Sequence, residues 1–161
     1  MHERALTRNK TMSDKLIEAR KKAMDYLARR EHGRVELLNK LTKSGFDADI
    51  AEEAVARLVE DGLQSEQRFA EAFVRSRINQ GKGPAKICAD LRAKRVDDSV
   101  IAAALQDAAQ DWFELAREVH AKKFGAGRAR DFKEKARQMR FLQSRGFDQE
   151  HIQAAVSADD E

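Results

Sequence analysis

Apolar residues recur along the chain at three- and four-residue spacings, the period at which side chains return to one face of an α-helix. One such stripe comprises Ile50, Ala51, Ala54, Val55, Leu58 and Val59. A stripe nearer the start of the chain comprises Leu16, Ala23, Met24 and Leu27. Each stripe predicts an amphipathic helix that buries its apolar face in a core. Segments of this kind predict nine helices.

The helical pattern repeats itself about every fifty residues. Residues 41–47, 91–97 and 142–148 share one order: a leucine, three intervening residues, a Gly or Arg, an apolar residue and an aspartate. An apolar pair follows each copy at a similar distance. Three copies at nearly constant spacing predict tandem structural units of three helices each. We assign the repeats to residues 13–62, 63–111 and 112–157, with tails at 1–12 and 158–161.

The repeated segment contains the signals that end one helix and begin the next. Its aspartate can accept hydrogen bonds from free N–H groups of the following turn, which predicts N-caps at Asp47, Asp97 and Asp148. Gly45 and Gly146 are expected to end their helices in a left-handed conformation. The middle repeat has Arg95 at this place, so its turn is expected to be strained or built differently.

Composition supports an all-α fold over a β fold. The 161 residues include one proline, Pro84, and eight glycines, too few for the many turns of a β-sandwich or barrel. Pro84 follows Gly83 at the expected start of a helix, where its missing N–H costs least. Each unit alone would have a small core. We therefore expect three three-helix repeats stacked into an elongated, curved array whose concave side forms a long binding surface.

Several classes of protein are excluded by the same pattern. The longest apolar run, residues 100–105, is much too short to span a membrane. The N-terminal residues lack the apolar stretch of a signal peptide. A single cysteine, Cys88, forms no disulfide framework and fits a reducing compartment. We expect a cytoplasmic protein with no membrane partner.

Candidate catalytic chemistry is sparse. The histidines are far apart and form no metal-ligand spacing, and we expect His120 and His151 to lie at the surface or its boundary. Cys88 is expected to pack as a small apolar side chain. The sequence Gly81-Lys82-Gly83-Pro84 lacks the ending of a phosphate-binding P-loop and is interpreted as a turn before a helix. We predict no catalytic residues, no metal, no cofactor and no enzymatic activity.

Charge is more informative because it is segregated, although the net charge is only +3. Positions 75 to 95 contain seven basic residues and one acidic residue, and positions 117 to 145 contain ten basic residues and three acidic residues. A stacked array could present these cations on one positive face that binds phosphates or an acidic protein surface. The alternative is a solvated helix face without a partner. The candidate partner-binding residues are Arg75, Arg77, Lys82, Lys86, Arg92, Lys94, Arg95, Arg137, Arg140 and Arg145.

Several segments resemble the RecX family of bacterial regulatory proteins. Residues 27–37 resemble its opening repeat, and residues 69–77 and 81–87 with Leu91 resemble its central signature. Residues 111–112, 123–125 and 141–147 are similar to its third repeat, so the resemblance runs from about residue 23 to 156. Gly33, where the family often has Ser, and Arg95, where it usually has Gly, depart from the pattern.

The resemblance implies tandem three-helix repeats and a regulatory role. RecX proteins bind in the groove of the RecA filament on single-stranded DNA and restrain its extension, and strand exchange, ATP hydrolysis and co-protease activity fall. It implies RecA as the main partner, with weak contact to single- and double-stranded DNA. We expect a monomer because the repeat ends carry charge. The alternative is a helical-repeat protein that binds DNA directly and competes with the recombinase.

Overall fold

The computed structural model describes residues 11–125, 127 and 129–157. Every regular element in this part of the chain is an α-helix, which confirms the all-α class. In chain order the nine helices are α1 (Met12–Arg29), α2 (Arg34–Lys43), α3 (Ala48–Glu60), α4 (Glu66–Asn79), α5 (Pro84–Ala93), α6 (Asp98–Asp107), α7 (Trp112–Phe124), α8 (Phe132–Ser144) and α9 (Gln149–Val156).

The helices group into two compact units, Met1–Phe69 and Ala70–Glu161. The first contains α1 to α3, and the second contains most of α4 and all of α5 to α9. The expected tails lie outside the described residues, except that Thr11 caps α1 and Met12 begins it. The three assigned repeat boundaries and the curved stacking of the repeats stay predictions.

The core of the first unit is built where α1 packs against α3, with α2 beside them. Ala19, Ala23, Leu41 and other members of this core are fully buried, and alanines let the helices approach closely. Two stripe residues were wrongly expected to be buried. Met24 is 43% exposed and Val59 is 44% exposed, because each lies one residue, or about 100° of helix rotation, beyond a buried neighbour.

In the second unit, α9 packs against both α7 and α8. Their shared core contains Leu115, Ala116, Leu142, Phe147, Ile152, Ala155 and Val156. The middle repeat buries its own apolar residues, among them Ile87, Leu91, Val96 and Ile101. Cys88, on α5, is half-buried.

The turn after the second helix of each repeat is a Schellman motif. In the first repeat, the N–H of Phe46 donates to the carbonyl of Leu41 at 3.1 Å, and that of Gly45 donates to Thr42 at 3.1 Å. The bond that spans five residues recurs in the other two repeats. The N–H of Val96 donates to the carbonyl of Leu91 at 3.2 Å, and the N–H of Phe147 donates to that of Leu142 at 3.3 Å. The repeated leucine and apolar residue of the sequence are therefore the two ends of one hydrogen bond.

The left-handed residue of this motif is the one that the sequence predicts. Gly45 has φ of +103° and Gly146 has φ of +97°, which confirms both expectations. Arg95 adopts φ of +61°, so the middle turn has the same construction as the others and accepts the strain of a side chain there.

The predicted N-caps are correct in position, but the capping mechanism differs among them. Asp47, Asp97 and Asp148 stand at N-cap positions with extended backbone. Asp148 forms a capping box with His151, whose Nδ1 accepts the N–H of Asp148 at 3.3 Å. The side chains of Asp47 and Asp97 make no capping hydrogen bond and act on their helices through charge at the positive end instead. Side-chain capping is provided by Thr11, Asp111 and Asp131.

Candidate partner-binding surface

The N-terminus of α5 is fixed against the third repeat by backbone contacts within the second unit. The N–H of Gly83 donates to the carbonyl of Arg145 at 2.8 Å, and the N–H of Ala85 donates to that of Gly146 at 2.9 Å. A Cβ atom on Gly83 would lie 2.4 Å from the carbonyl oxygen of Gly146. A Cβ atom on Gly146 would lie 2.3 Å from the Cβ of Lys86. Only glycine fits at either position.

The contact places Arg145 beside the turn that precedes α5, where the N–H of Lys82 donates to the carbonyl of Arg77 at 2.9 Å. We call the four cations at this place the basic cluster: Arg77, Lys82, Lys86 and Arg145. Burial lowers the pKa of Lys82, and the charges of Arg145 and Lys86 lower it further. Asp90 acts in the opposite direction, more weakly than these two cations. Like charges at such proximity repel, so an anion bound among them would be stabilised.

Aromatic rings hold two members of the basic cluster without neutralising them. The guanidinium of Arg77 lies 4.0 Å from the centroid of the Phe73 ring, and Lys94 lies over the same ring at 6.0 Å. The guanidinium of Arg145 lies 5.0 Å from the centroid of the Phe141 ring. Within the described residues, no carboxylate lies at ion-pair distance from Lys82, Lys86 or Arg145. Their charge is therefore available to a partner.

The other predicted cations have different surroundings. Arg92 is paired with Asp98 at 2.9 Å, and Arg137 with Glu134 at 2.8 Å, so both charges are partly satisfied internally. Arg95 is exposed at the strained turn. Arg75 lines a cleft that also contains Glu71 and Asp107, and Arg140 lines another with Arg130 and Lys133.

A cleft of about 670 Å³ adjoins the basic cluster at Arg145. Its wall combines apolar residues, such as Val119 and Phe141, with Lys122 and Lys123 of α7. Neither lysine is among the candidates predicted from the sequence, although both belong to the same basic stretch. They lie three and four residues after Val119, on the same side of α7, but this spacing does not distinguish them from solvated lysines.

Two histidines correct the sequence expectation of surface roles. His120 is 7% exposed, and its Nε2 lies 2.8 Å from Oε1 of Gln138, a buried partner on α8. His151 is 5% exposed, its Nδ1 accepts from the N–H of Asp148 at 3.3 Å, and its ring packs edge-on against Phe113. Both lie next to buried apolar positions on their helices, and each ring has a polar partner, which permits burial.

The described residues contain little that could coordinate a metal ion. The one grouping of potential ligands found among the described residues is Asp148, Glu150 and His151, with ligand atoms within 4.8 Å of one another. The two acidic residues are exposed. One ring nitrogen of His151 already accepts the Asp148 N–H, and the other lies 3.9 Å from Glu150. These contacts show that the three side chains lie close together because they form the N-terminus of α9.

The longest helix of the described residues, α1, is rich in charged residues, and no helix among them is long and apolar enough to cross a membrane.

Comparisons with known proteins agree with the repeat structure. Residues 19–58 match the first three-helix domain of RecX, residues 65–105 the second and residues 109–156 the third. The regulatory protein RecX of Halorhodospira halophila is 47% identical over 139 residues, 86% of this chain and 86% of that protein. That of Pseudomonas entomophila is 43% identical over 147 residues, 91% and 95% of the two chains.

The fold has a counterpart among solved structures. The crystal structure of RecX from Lactobacillus salivarius matches with a TM-score of 0.75 and 23% identity, over 92% of this chain and 98% of that one. The three matched domains define a helical-repeat protein of the regulatory class. The chain belongs to the RecX family.

Proposed function

We propose that the protein is a negative regulator of the RecA recombinase. It binds in the groove of the RecA filament on single-stranded DNA and restrains filament extension. Strand exchange, ATP hydrolysis and co-protease activity fall as a result. The support is the match to all three RecX domains in order, together with relatives named as regulatory proteins.

The basic cluster is the observation that carries the proposed mode of binding. Its cations are held by backbone contact between segments of the second unit. A groove formed by protein and DNA offers both carboxylates and phosphates to such a surface. We assign the main contacts to Arg77, Lys82, Lys86, Lys94 and Arg145, and flanking contacts to Arg75, Arg92, Arg95, Arg137 and Arg140.

Inhibition through occupancy requires no reaction by the bound protein. A protein that spans several RecA protomers gains affinity from many modest contacts, and it shifts the filament toward the conformation that it binds best. We propose that the protein is a cytoplasmic monomer and that it has no enzymatic activity or cofactor of its own.

The direct test is ATP hydrolysis by RecA on single-stranded DNA with increasing amounts of the protein. We expect inhibition at less than one molecule per RecA, and a weaker effect from the double variant Lys82→Ala with Lys86→Ala. The control removes two exposed cations of the first unit, Lys21→Ala with Lys43→Ala. Unchanged hydrolysis at stoichiometric wild-type protein would reject the proposal.

A second candidate function is direct coating of DNA in competition with the recombinase. Lys82, Lys86 and Arg145 form no ion pair within the described part of the chain, and they favour this function because phosphates satisfy them as well as carboxylates do. Affinity for naked single strands at physiological salt separates the two functions. Tight binding there, with no gain when RecA is present, would favour coating over filament recognition.

A further inference from the structure

Lys82 lies on a turn whose backbone is fixed on both sides. Its own N–H donates to the carbonyl of Arg77 at 2.9 Å, and the N–H of the next residue, Gly83, donates to the carbonyl of Arg145 at 2.8 Å. The residue Lys82 is half-buried there, between α4 and α5. Its amine is therefore held in one place relative to the other cations of the basic cluster.

Burial and neighbouring cations both act against the charge of Lys82. Desolvation is the main cause that lowers the pKa of its ammonium below the usual value of 10.5, followed by the charges of Arg145 and Lys86. Asp90 acts in the opposite direction, and Arg77 adds a smaller lowering. A lysine with a lowered pKa has a larger fraction of neutral amine at neutral pH, and only the neutral amine is a nucleophile.

The same cations attract a negatively charged reagent to this amine. In the part of the chain that the structure describes, no carboxylate lies at ion-pair distance from Lys82, Lys86 or Arg145. Arg145 also lines the cleft of about 670 Å³, where Lys122 and Lys123 add to the positive potential. A small anion is therefore concentrated beside a nucleophile.

A small acyl phosphate matches this combination, because it joins an electrophilic carbonyl to a charged leaving group. A single oxygen links its acyl carbon to the phosphorus, so cations that attract the phosphate also bring the acyl carbon close to the amine. An uncharged acyl ester has no such attraction. In a large thioester cofactor the phosphates lie far from the acyl carbon.

We propose that Lys82 is a site of acylation by small acyl phosphates, with Arg77, Lys86 and Arg145 attracting the reagent. The lone pair of the amine attacks the acyl carbon, and an N–C bond forms. The C–O bond to the phosphate breaks, and the phosphate leaves with that electron pair and takes up the proton that the nitrogen loses. The cations stabilise the negative charge of the leaving phosphate.

The product is a neutral amide, so acylation removes one charge from the basic cluster. The reaction needs only the protein and the reagent. Its consequence for RecA, a weaker inhibition, rests on the proposed function and is measured separately.

The test incubates the full chain with acetyl phosphate and follows each lysine by peptide mass spectrometry. We expect acetylation of Lys82 to be about tenfold faster than that of Lys21 or Lys43, because the local potential concentrates the anion. Both of these reference lysines are exposed and belong to the first unit. With the N-hydroxysuccinimide ester of acetic acid, which is uncharged, the preference for Lys82 should be smaller, since only its larger fraction of neutral amine remains.

A variant of Arg145 separates attraction of the reagent from the folding of the turn. Arg145→Gln keeps the backbone carbonyl that accepts from Gly83, and thermal unfolding checks that the fold is kept. Acetylation of Lys82 by acetyl phosphate should be several-fold slower in this variant, with a smaller change for the uncharged ester. Arg29→Gln, which removes an exposed arginine of the first unit, should leave the rate at Lys82 unchanged.

Three results would overturn the proposal. They are acetylation of Lys82 by acetyl phosphate no faster than that of Lys21 and Lys43, the same preference with both reagents, and an unchanged rate in a folded Arg145→Gln variant.

The consequence for RecA is tested with Lys82→Arg, which keeps the positive charge and removes the amine. After treatment with acetyl phosphate, the wild type should inhibit ATP hydrolysis by RecA less than before, whereas Lys82→Arg should lose less of its inhibition. Selective acetylation of Lys82 with unchanged inhibition would leave the acylation site standing and would contradict only the role of Lys82 in the proposed function.

Discussion

At the scale of single residues, the contact between Gly83 and Gly146 determines how the middle repeat meets the third. Each glycine occupies space that a Cβ atom would share with backbone of the other segment. The sequence shows both glycines and predicts the left-handed turn at one of them. It does not show that they touch, because a contact between distant segments depends on how helices pack rather than on local propensity.

Gly146→Ala should destabilise the protein much more than Gly45→Ala. Both positions have positive φ, but space around Gly45 is open, whereas Lys86 crowds Gly146. We expect a loss of about 1 kcal/mol in the free energy of unfolding for Gly45→Ala from backbone strain alone. For Gly146→Ala we expect about 1–3 kcal/mol more, from overpacking. Urea denaturation followed by circular dichroism measures both, and equal losses would refute the steric account.

His32 makes the first unit sensitive to acid. The ring is 2% exposed, its Nδ1 lies 3.0 Å from the carbonyl oxygen of Arg30, and its Nε2 lies 2.9 Å from Nζ of Lys40. A neutral ring donates to the first and accepts from the second. Burial is the main cause that lowers the pKa of His32 below its usual value of 6.5. Protonation would remove the acceptor and place two cations side by side.

The sign of the pH effect follows from this lowered pKa. The unfolded chain takes up the proton more readily than the folded one, so the contribution of His32 is complete above about pH 6.5 and is lost as pH falls from there through the lowered pKa of the folded state. We expect the free energy of unfolding to fall between pH 7.5 and 5.5, and to fall less in His32→Gln. Urea denaturation at the two values measures this, and the same decrease in both proteins would contradict the assignment.

At the scale of helices and turns, the recurring sequence pattern corresponds to a Schellman motif at the equivalent turn of each repeat. The pattern predicted where helices end because the motif needs a left-handed residue and an apolar residue at fixed places. It could not predict whether Asp47, Asp97 and Asp148 make capping bonds, because that depends on side-chain rotamers. It also placed Met24 and Val59 on buried faces, since residue type alone does not mark the edge of a stripe.

Replacing Arg95 by glycine should stabilise the middle repeat. A side chain at φ of +61° strains the backbone, and glycine removes the strain at some cost in the entropy of the unfolded chain. The expected gain is about 0.5–1 kcal/mol in the free energy of unfolding, measured by urea denaturation. Ala109, at φ of +49°, should respond to glycine in the same direction, and a loss of stability in Arg95→Gly would show that its side chain contributes more than the strain costs.

At the scale of the whole molecule, local periodicity and spacing predicted the all-α class and the repeats, whereas the family was indicated by the resemblance of particular segments to RecX motifs. The sequence predicted which stretches are basic, but not which of their cations form ion pairs and which come together in the basic cluster. Arg92 and Arg137 pair with acids six and three residues away in the chain, whereas Arg77 and Arg145, far apart in sequence, meet around Lys82. Only the packing of helices shows this grouping.

We propose that the protein restrains RecA filaments by occupying them through the basic cluster, and the extension of RecA filaments on long single-stranded DNA tests this proposal most directly. Extension should slow markedly with far less than one molecule of wild-type protein per RecA. It should slow less with the variant Lys82→Ala with Lys86→Ala, while Lys21→Ala with Lys43→Ala should act like the wild type. Filaments that extend at the same rate with and without bound protein would contradict the account.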